Sequence, residues 1–181
     1  MMIMNTYMIS LPRLLFWFII ILAIIFVFAI FNFFVFKYRK NKIIKVLRNF
    51  CDNKGYRMTI GKRTDYDFVL ENGKKLYIKI LFVPRYAAIT VNSKDTWSLT
   101  YGGFSKLPGR GYPHQRYLDE LKSFLRKDLS GIKIVLIYPT IDKVQKYLNE
   151  SEIAILNYKE SAHGIRFITF NNWESNFDDL I

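Results

Sequence analysis

Residues 67–80, DFVLENGKKLYIKI, decide the fold. Apolar side chains alternate on both sides of an Asn-Gly pair: Phe68 and Leu70 before it, Leu76, Ile78 and Ile80 after it. Period-two alternation around a turn pair predicts an antiparallel hairpin with one face in a core. Both apolar sets share that face only if Phe68 lies opposite Ile78 and Leu70 opposite Leu76. A two-residue Asn-Gly turn pairs Glu71 with Lys74 and divides the sets between the faces. A three-residue loop, Asn72-Gly73-Lys74, unites them. The other face then carries Asp67 opposite Lys79, Val69 opposite Tyr77 and Glu71 opposite Lys75.

The flanking sequence extends this hairpin into a domain. Residues 56–60 predict a preceding strand, and 87–92 and 96–101 two further strands around a Ser-Lys-Asp turn. Residues 102–113 (GGFSKLPGRGYP) hold four of the nine glycines and two of the five prolines, which makes them a loop. Residues 114–129 place Tyr117, Leu118, Leu121, Phe124 and Leu125 at helical spacing, and Gly131 ends that helix. Residues 132–138 (IKIVLIY) are almost wholly apolar, as in a strand buried on both faces of a parallel or mixed sheet. A short helix over 141–149, strands over 152–158 and 165–170, and an acidic tail complete the order. The expectation is an α+β fold, an α/β sandwich with helices packed on a central sheet.

Composition divides the chain. Residues 1–36 hold one charge, Arg13, so of 27 basic and 15 acidic residues, 26 and 15 fall in residues 37–181, a net of +11. Residues 14–36 (LLFWFIIILAIIFVFAIFNFFVF) are uncharged, with Asn32 the one polar side chain. At about 1.5 Å per helical residue they span the roughly 30 Å hydrocarbon layer. The run exceeds the apolar region of a cleaved signal peptide and meets a basic stop-transfer flank. Lys37, Arg39, Lys40, Lys42, Lys45 and Arg48 follow it, so the positive-inside rule puts the C-terminal domain in the cytoplasm. The first four of these are placed to contact anionic lipid at the membrane surface. Residues 41–54 present Ile43, Ile44, Leu47, Phe50 and Cys51 on one face, an amphipathic helix continuing from the span. The expected organisation is a short extracytoplasmic N-terminus (1–13), a transmembrane helix (14–36), a basic juxtamembrane helix (37–54) and a cytoplasmic domain (55–181). A single cysteine excludes a disulfide framework and a cysteine-built zinc site, and fits a reducing compartment.

Five short stretches in order, Tyr66-Asp67-Phe68, Asn72-Gly73, Tyr77-Ile78-Lys79, Trp97 and Tyr112-Pro113-His114-Gln115, resemble the nuclease-related domain (NERD) family of the PD-(D/E)XK nuclease superfamily. The likeness covers roughly residues 41–140. It implies a restriction-endonuclease-like core of helix, three-stranded antiparallel sheet, helix and strand. In that family an Asp on one strand and an acid-x-Lys on the next hold a divalent metal and the attacking water. Carried over, Asp67 is a metal ligand, Lys79 holds the water, and Gln115 orients phosphate or water at a helix start. This chain departs from the pattern at the carboxylate two residues before the lysine, where it has Tyr77. The first helix offers only Asp52, and Phe68 replaces the histidine after the first Asp. Glu71, four residues along a strand from Asp67, lies roughly 13 Å away. One carboxylate is a poor cage for magnesium or manganese, and without the metal the activated water is lost. The expectation is a degenerate site that uses no cofactor, with magnesium or manganese required only in an active one.

Other motifs carry less. His114 and His163 lack partner spacing, the glycine-rich loop does not match a phosphate loop, and Cys51 reads as core. Beyond the membrane flank, Lys54, Arg57, Lys62, Arg63, Arg85, Lys106, Arg110 and Arg116 form a second basic set suited to nucleic-acid backbone. Two function classes follow. One is a membrane-tethered nuclease-fold protein that binds DNA or RNA; the other is an inert scaffold for membrane or cytoplasmic proteins.

Overall fold

A computed structural model describes residues 11–61, 65–93, 96–101, 110–111, 116–149 and 152–181. The hairpin has the register its alternation demands. β1 (Arg57–Ile60), β2 (Phe68–Asn72) and β3 (Lys74–Phe82) run antiparallel, with Phe68 opposite Ile78, Val69 opposite Tyr77 and Leu70 opposite Leu76. Asn72 and Lys74 face each other across Gly73, whose φ of +71° is a conformation glycine adopts without steric cost. Phe68, Leu70, Leu76 and Ile78 are fully buried.

Beyond β3, the chain forms β4 (Ala87–Val91), β5 (Trp97–Tyr101), β6 (Arg110–Gly111), α2 (Arg116–Arg126), β7 (Ile132–Tyr138), β8 (Lys143–Tyr147), β9 (Ile153–Ile155), β10 (Ser161–Ala162) and β11 (Ile165–Thr169). These strands join two mixed sheets rather than one central sheet. Among the described residues one sheet has the order β1-β2-β3-β7-β11-β10 and the other β6-β5-β4-β8-β9. The apolar run of β7 lies between β3 and β11, parallel to both, which is why it carries apolar residues on both faces. Leu81, Val135, Ile137 and Phe167 on one face of the six-stranded sheet share a core with α2 (Leu118, Leu121, Phe124, Leu125) and with Ile89, Leu99 and Val144 of the five-stranded sheet.

Two sequence expectations are corrected. Residues 141–149 are not a helix: Lys143–Tyr147 is a strand that pairs parallel with β4, and within it only Val144 is buried. The spacing of Ile141, Val144, Tyr147 and Leu148 imitates a helical stripe, but a long-range partner wins. Nor is the acidic C-terminus a solvated tail. It forms a 3-10 turn (Phe170–Asn172), α3 (Trp173–Asn176) and a second 3-10 turn (Phe177–Leu180). Trp173, Phe177 and Leu180 are buried, and Phe50 packs its ring 5.6 Å from Trp173 and 4.5 Å from Phe177.

The N-terminal helix, α1 (Leu11–Lys54), continues without a break through the apolar run and the basic flank. The chain divides into two compact units inside it, between Val46 and Leu47. Leu47, Phe50 and Cys51 belong to the C-terminal unit and are buried there. Among the described residues α1 is the one helix long and apolar enough to cross a membrane. The Asn32 amide donates to the Phe28 carbonyl at 2.9 Å, so its own helix turn satisfies the donor.

Candidate functional site

The hairpin register brings Asp67, Tyr77 and Lys79 to one face of the six-stranded sheet, the face that looks towards α2. Asp67 stands just before β2 and is fixed by its backbone on both sides. Its N–H donates to the Ile78 carbonyl at 2.8 Å, and its carbonyl accepts from Gly61 N–H at 2.9 Å. Its carboxylate accepts from the Ile80 N–H at 2.9 Å and lies 3.8 Å from the Lys79 ammonium. This is the juxtaposition that alternation predicts.

The surroundings differ from expectation. The polar face of the hairpin reads from sequence as partly open to solvent, yet Lys79 is 1% and Asp67 8% exposed. The α2 helix and the second sheet share this side, and the register sets Lys79 beside Val135 of β7. Tyr77 is half-buried, edge-on to Tyr66 with ring centroids 5.1 Å apart. A second carboxylate, Asp65, is engaged elsewhere: it accepts from Ser123 Oγ and from the Lys127 ammonium of the α2 end. Lys133, opposite Tyr77 in the register, donates to the carbonyls of Leu125 and Lys127 at 2.9 and 2.8 Å. There it neutralises the exposed carbonyl end of α2.

A divalent metal does not fit these donors. Among the described residues no three of His, Cys, Asp and Glu gather closely enough to hold one. The carboxylate that would start a cage already faces an ammonium, and position 77 presents a phenol where a second carboxylate would be needed. What the arrangement does is hold a buried ion pair that fixes the start of β2 to the middle of β3.

The remaining sequence-selected residues are dispersed. Gln115, Lys62, Arg63 and Lys106 lie outside the described residues. Arg116 opens α2. Lys54 at the end of α1 donates to both carboxylate oxygens of Asp178, at 3.2 and 3.0 Å. Arg57 is exposed on β1, the edge strand of the six-stranded sheet, opposite Glu71, which also meets Lys75 at 3.8 Å. Arg85 is exposed between β3 and β4, and Arg110 is exposed on β6, the edge of the other sheet. The basic residues Lys37, Arg39, Lys40 and Lys42 lie on α1 just beyond the apolar run. Cys51 is buried, and burial, with a smaller contribution from Asp52, pushes its thiol pKa up to about 11. A thiol so protonated is a core residue rather than a nucleophile.

Sequence reasoning missed the packed C-terminal segment, whose signal was present as Phe170, Trp173, Phe177 and Leu180 at helical spacing. Comparison with known proteins finds no matching family model, no matching curated protein and no matching solved structure.

Proposed function

We propose that this chain is a membrane-anchored, non-catalytic nucleic-acid-binding protein. In this reading residues 14–36 span the membrane once, and a nuclease-related domain with a degenerate site stands on the cytoplasmic side. The observation that carries it is the closure of the Asp67–Lys79 pair. An ammonium 1% exposed and held to its own carboxylate cannot meet a water and a phosphodiester. The basic excess of residues 37–181, with Arg57, Arg85 and Arg110 exposed, supports backbone contacts that need no chemistry. The orientation rests on the basic residues that follow the apolar run, against Arg13 alone before it.

The test uses the full chain in nanodiscs of neutral lipid, with labelled duplex DNA and RNA. Expected is sequence-independent binding whose log affinity falls linearly with log salt, with a slope of about −0.9 per phosphate contacted on B-DNA. Magnesium or manganese should produce no cleavage. Metal-dependent cutting abolished by Asp67→Ala would overturn the degenerate-site reading. Absence of binding at low salt would leave a tethered scaffold for other proteins as the function. A reporter fused after Ile181 checks orientation, with activity expected only from a cytoplasmic type.

A further inference from the structure

The parallel strands β7 and β11 end side by side, and a cavity of about 390 Å³ opens at their carboxyl ends. Its walls are Ile137 and Phe167–Thr169 from the six-stranded sheet, the β7–β8 connection, Val144 of β8, Leu156–Tyr158 after β9, and Asn172. Ligands in parallel sheets bind outside the carboxyl ends of strands, and this volume falls at the lower end of the roughly 300–1,000 Å³ of small-molecule pockets. None of these residues belongs to the Asp67–Lys79 site.

The lining selects a ligand class. Aliphatic side chains and the Phe167 ring supply an apolar body. Asp142 and Lys143 are adjacent and opposite in charge, so the wall carries no net charge although the domain around it is strongly basic. A phosphorylated ligand gains nothing there and meets the Asp142 carboxylate. The neutral polar groups are pre-positioned. The Asn172 amide donates to the Tyr158 hydroxyl, which locks both side chains at the wall. Among the described residues the amide oxygen of Asn172 and the hydroxyl proton of Tyr158 then have no further partner, one an acceptor and the other a donor. Thr169, 8% exposed, lies beside Ile137 in the register, and its Oγ1 has no hydrogen-bond partner among the described residues. A buried hydroxyl without a partner is destabilising and uncommon, and a ligand that accepts or donates to it accounts for its retention.

We propose that this cavity binds a small uncharged heterocycle with hydroxyl groups, of the nucleoside class. The ring sits against the aliphatic wall and Phe167. Its polar edge meets Asn172 and Tyr158, and a rotation about χ1 of Thr169 brings the hydroxyl to the ligand. The proposal is independent of nucleic-acid binding on the basic surface.

The test is equilibrium binding of adenosine, uridine and adenosine monophosphate to the full chain in detergent micelles. Expected is saturable binding of at least one nucleoside, with the monophosphate weaker. Thr169→Val keeps the shape of the side chain and removes the hydroxyl. It should raise the melting temperature of the free protein while weakening the nucleoside about fivefold. Asn172→Leu should also weaken the nucleoside and leave binding of labelled DNA unchanged. Absence of saturable nucleoside binding, monophosphate binding tighter than nucleoside, or an unchanged nucleoside affinity in both variants would each overturn the assignment.

Discussion

Removing the carboxylate of Asp67 tests whether the Asp67–Lys79 pair is structural. At 3.8 Å and an effective dielectric of about 20, the attraction between the two charges is about 4 kcal/mol. Deleting one member of a buried pair typically costs about 3–5 kcal/mol, because the other charge stays where water cannot reach it. Asp67→Ala leaves an ammonium 1% exposed and also takes the acceptor from the Ile80 N–H. Lys79→Met leaves a carboxylate that is 8% exposed and keeps that hydrogen bond, so it should cost less, about 1–3 kcal/mol. The C-terminal unit begins at Leu47 and ends at Ile181, a length for which each kcal/mol moves the melting temperature by roughly 3–5 °C. Asp67→Ala should therefore melt about 10–20 °C below the parent, and Lys79→Met distinctly less far below. Combining the two substitutions should cost less than the sum of the single losses by about 0.5–3 kcal/mol. The assay is thermal unfolding of the full chain in detergent, followed by near-ultraviolet circular dichroism of the buried Trp173. If Asp67→Ala melts with the parent or above it, the pair is not a structural element, and the residues are held in tension for chemistry instead.

The other predictions rest on different contacts. Gly131→Ala should destabilise by about 1–3 kcal/mol in urea unfolding, because a Cβ there would stand 2.3 Å from the Lys75 carbonyl oxygen. The Cys51 thiol should resist a disulfide reagent in the folded chain at pH 8 and react at once when unfolded. Because its folded pKa of about 11 exceeds the ordinary value of 9.0, the native state holds the proton more tightly. That contribution is whole below pH 9 and declines as pH rises from 9 towards 11, which alkaline melting curves would show. Tyr77→Glu should lower stability in the absence of metal and recover part of it in manganese, read by melting and by electron paramagnetic resonance of bound manganese.

Patterns with a short-range cause were legible in the sequence. The hairpin register followed from where Phe68, Leu70, Leu76 and Ile78 must point, and the unbroken apolar run of β7 announced a strand covered on both faces. The apolar run of α1 required only length and composition. What failed needed a partner far away in sequence. Lys143–Tyr147 became a strand because β4 lies beside it, fifty-odd residues earlier in the chain. Trp173 and Phe177 were hidden behind acidic neighbours, although Phe50 supplies them a partner at the end of α1. The candidate site was legible as a juxtaposition and illegible as an environment. Register alone sets Asp67 beside Lys79, but their burial depends on α2 and on a second sheet assembled from five strands between Ala87 and Ile155.

That burial also explains the residue at position 77. In the buried part of this face the Lys79 ammonium stands 3.8 Å from the Asp67 carboxylate, while Lys133, opposite Tyr77, donates to the carbonyls that end α2. A second carboxylate two residues before Lys79 would add a negative charge at a half-buried place, a cost relieved only if Lys133 leaves the α2 carbonyls or a further cation joins the face. Tyrosine at this place contributes a ring that packs edge-on against Tyr66 and puts no carboxylate beside the pair. The same reasoning gives the sign of the Tyr77→Glu experiment: the substitution creates a charge that only a cation, a bound proton or local opening relieves. If the variant is as stable as the parent without metal at pH 8, the face is wetter than its 1% exposed lysine indicates, and the closed-site argument against cleavage fails.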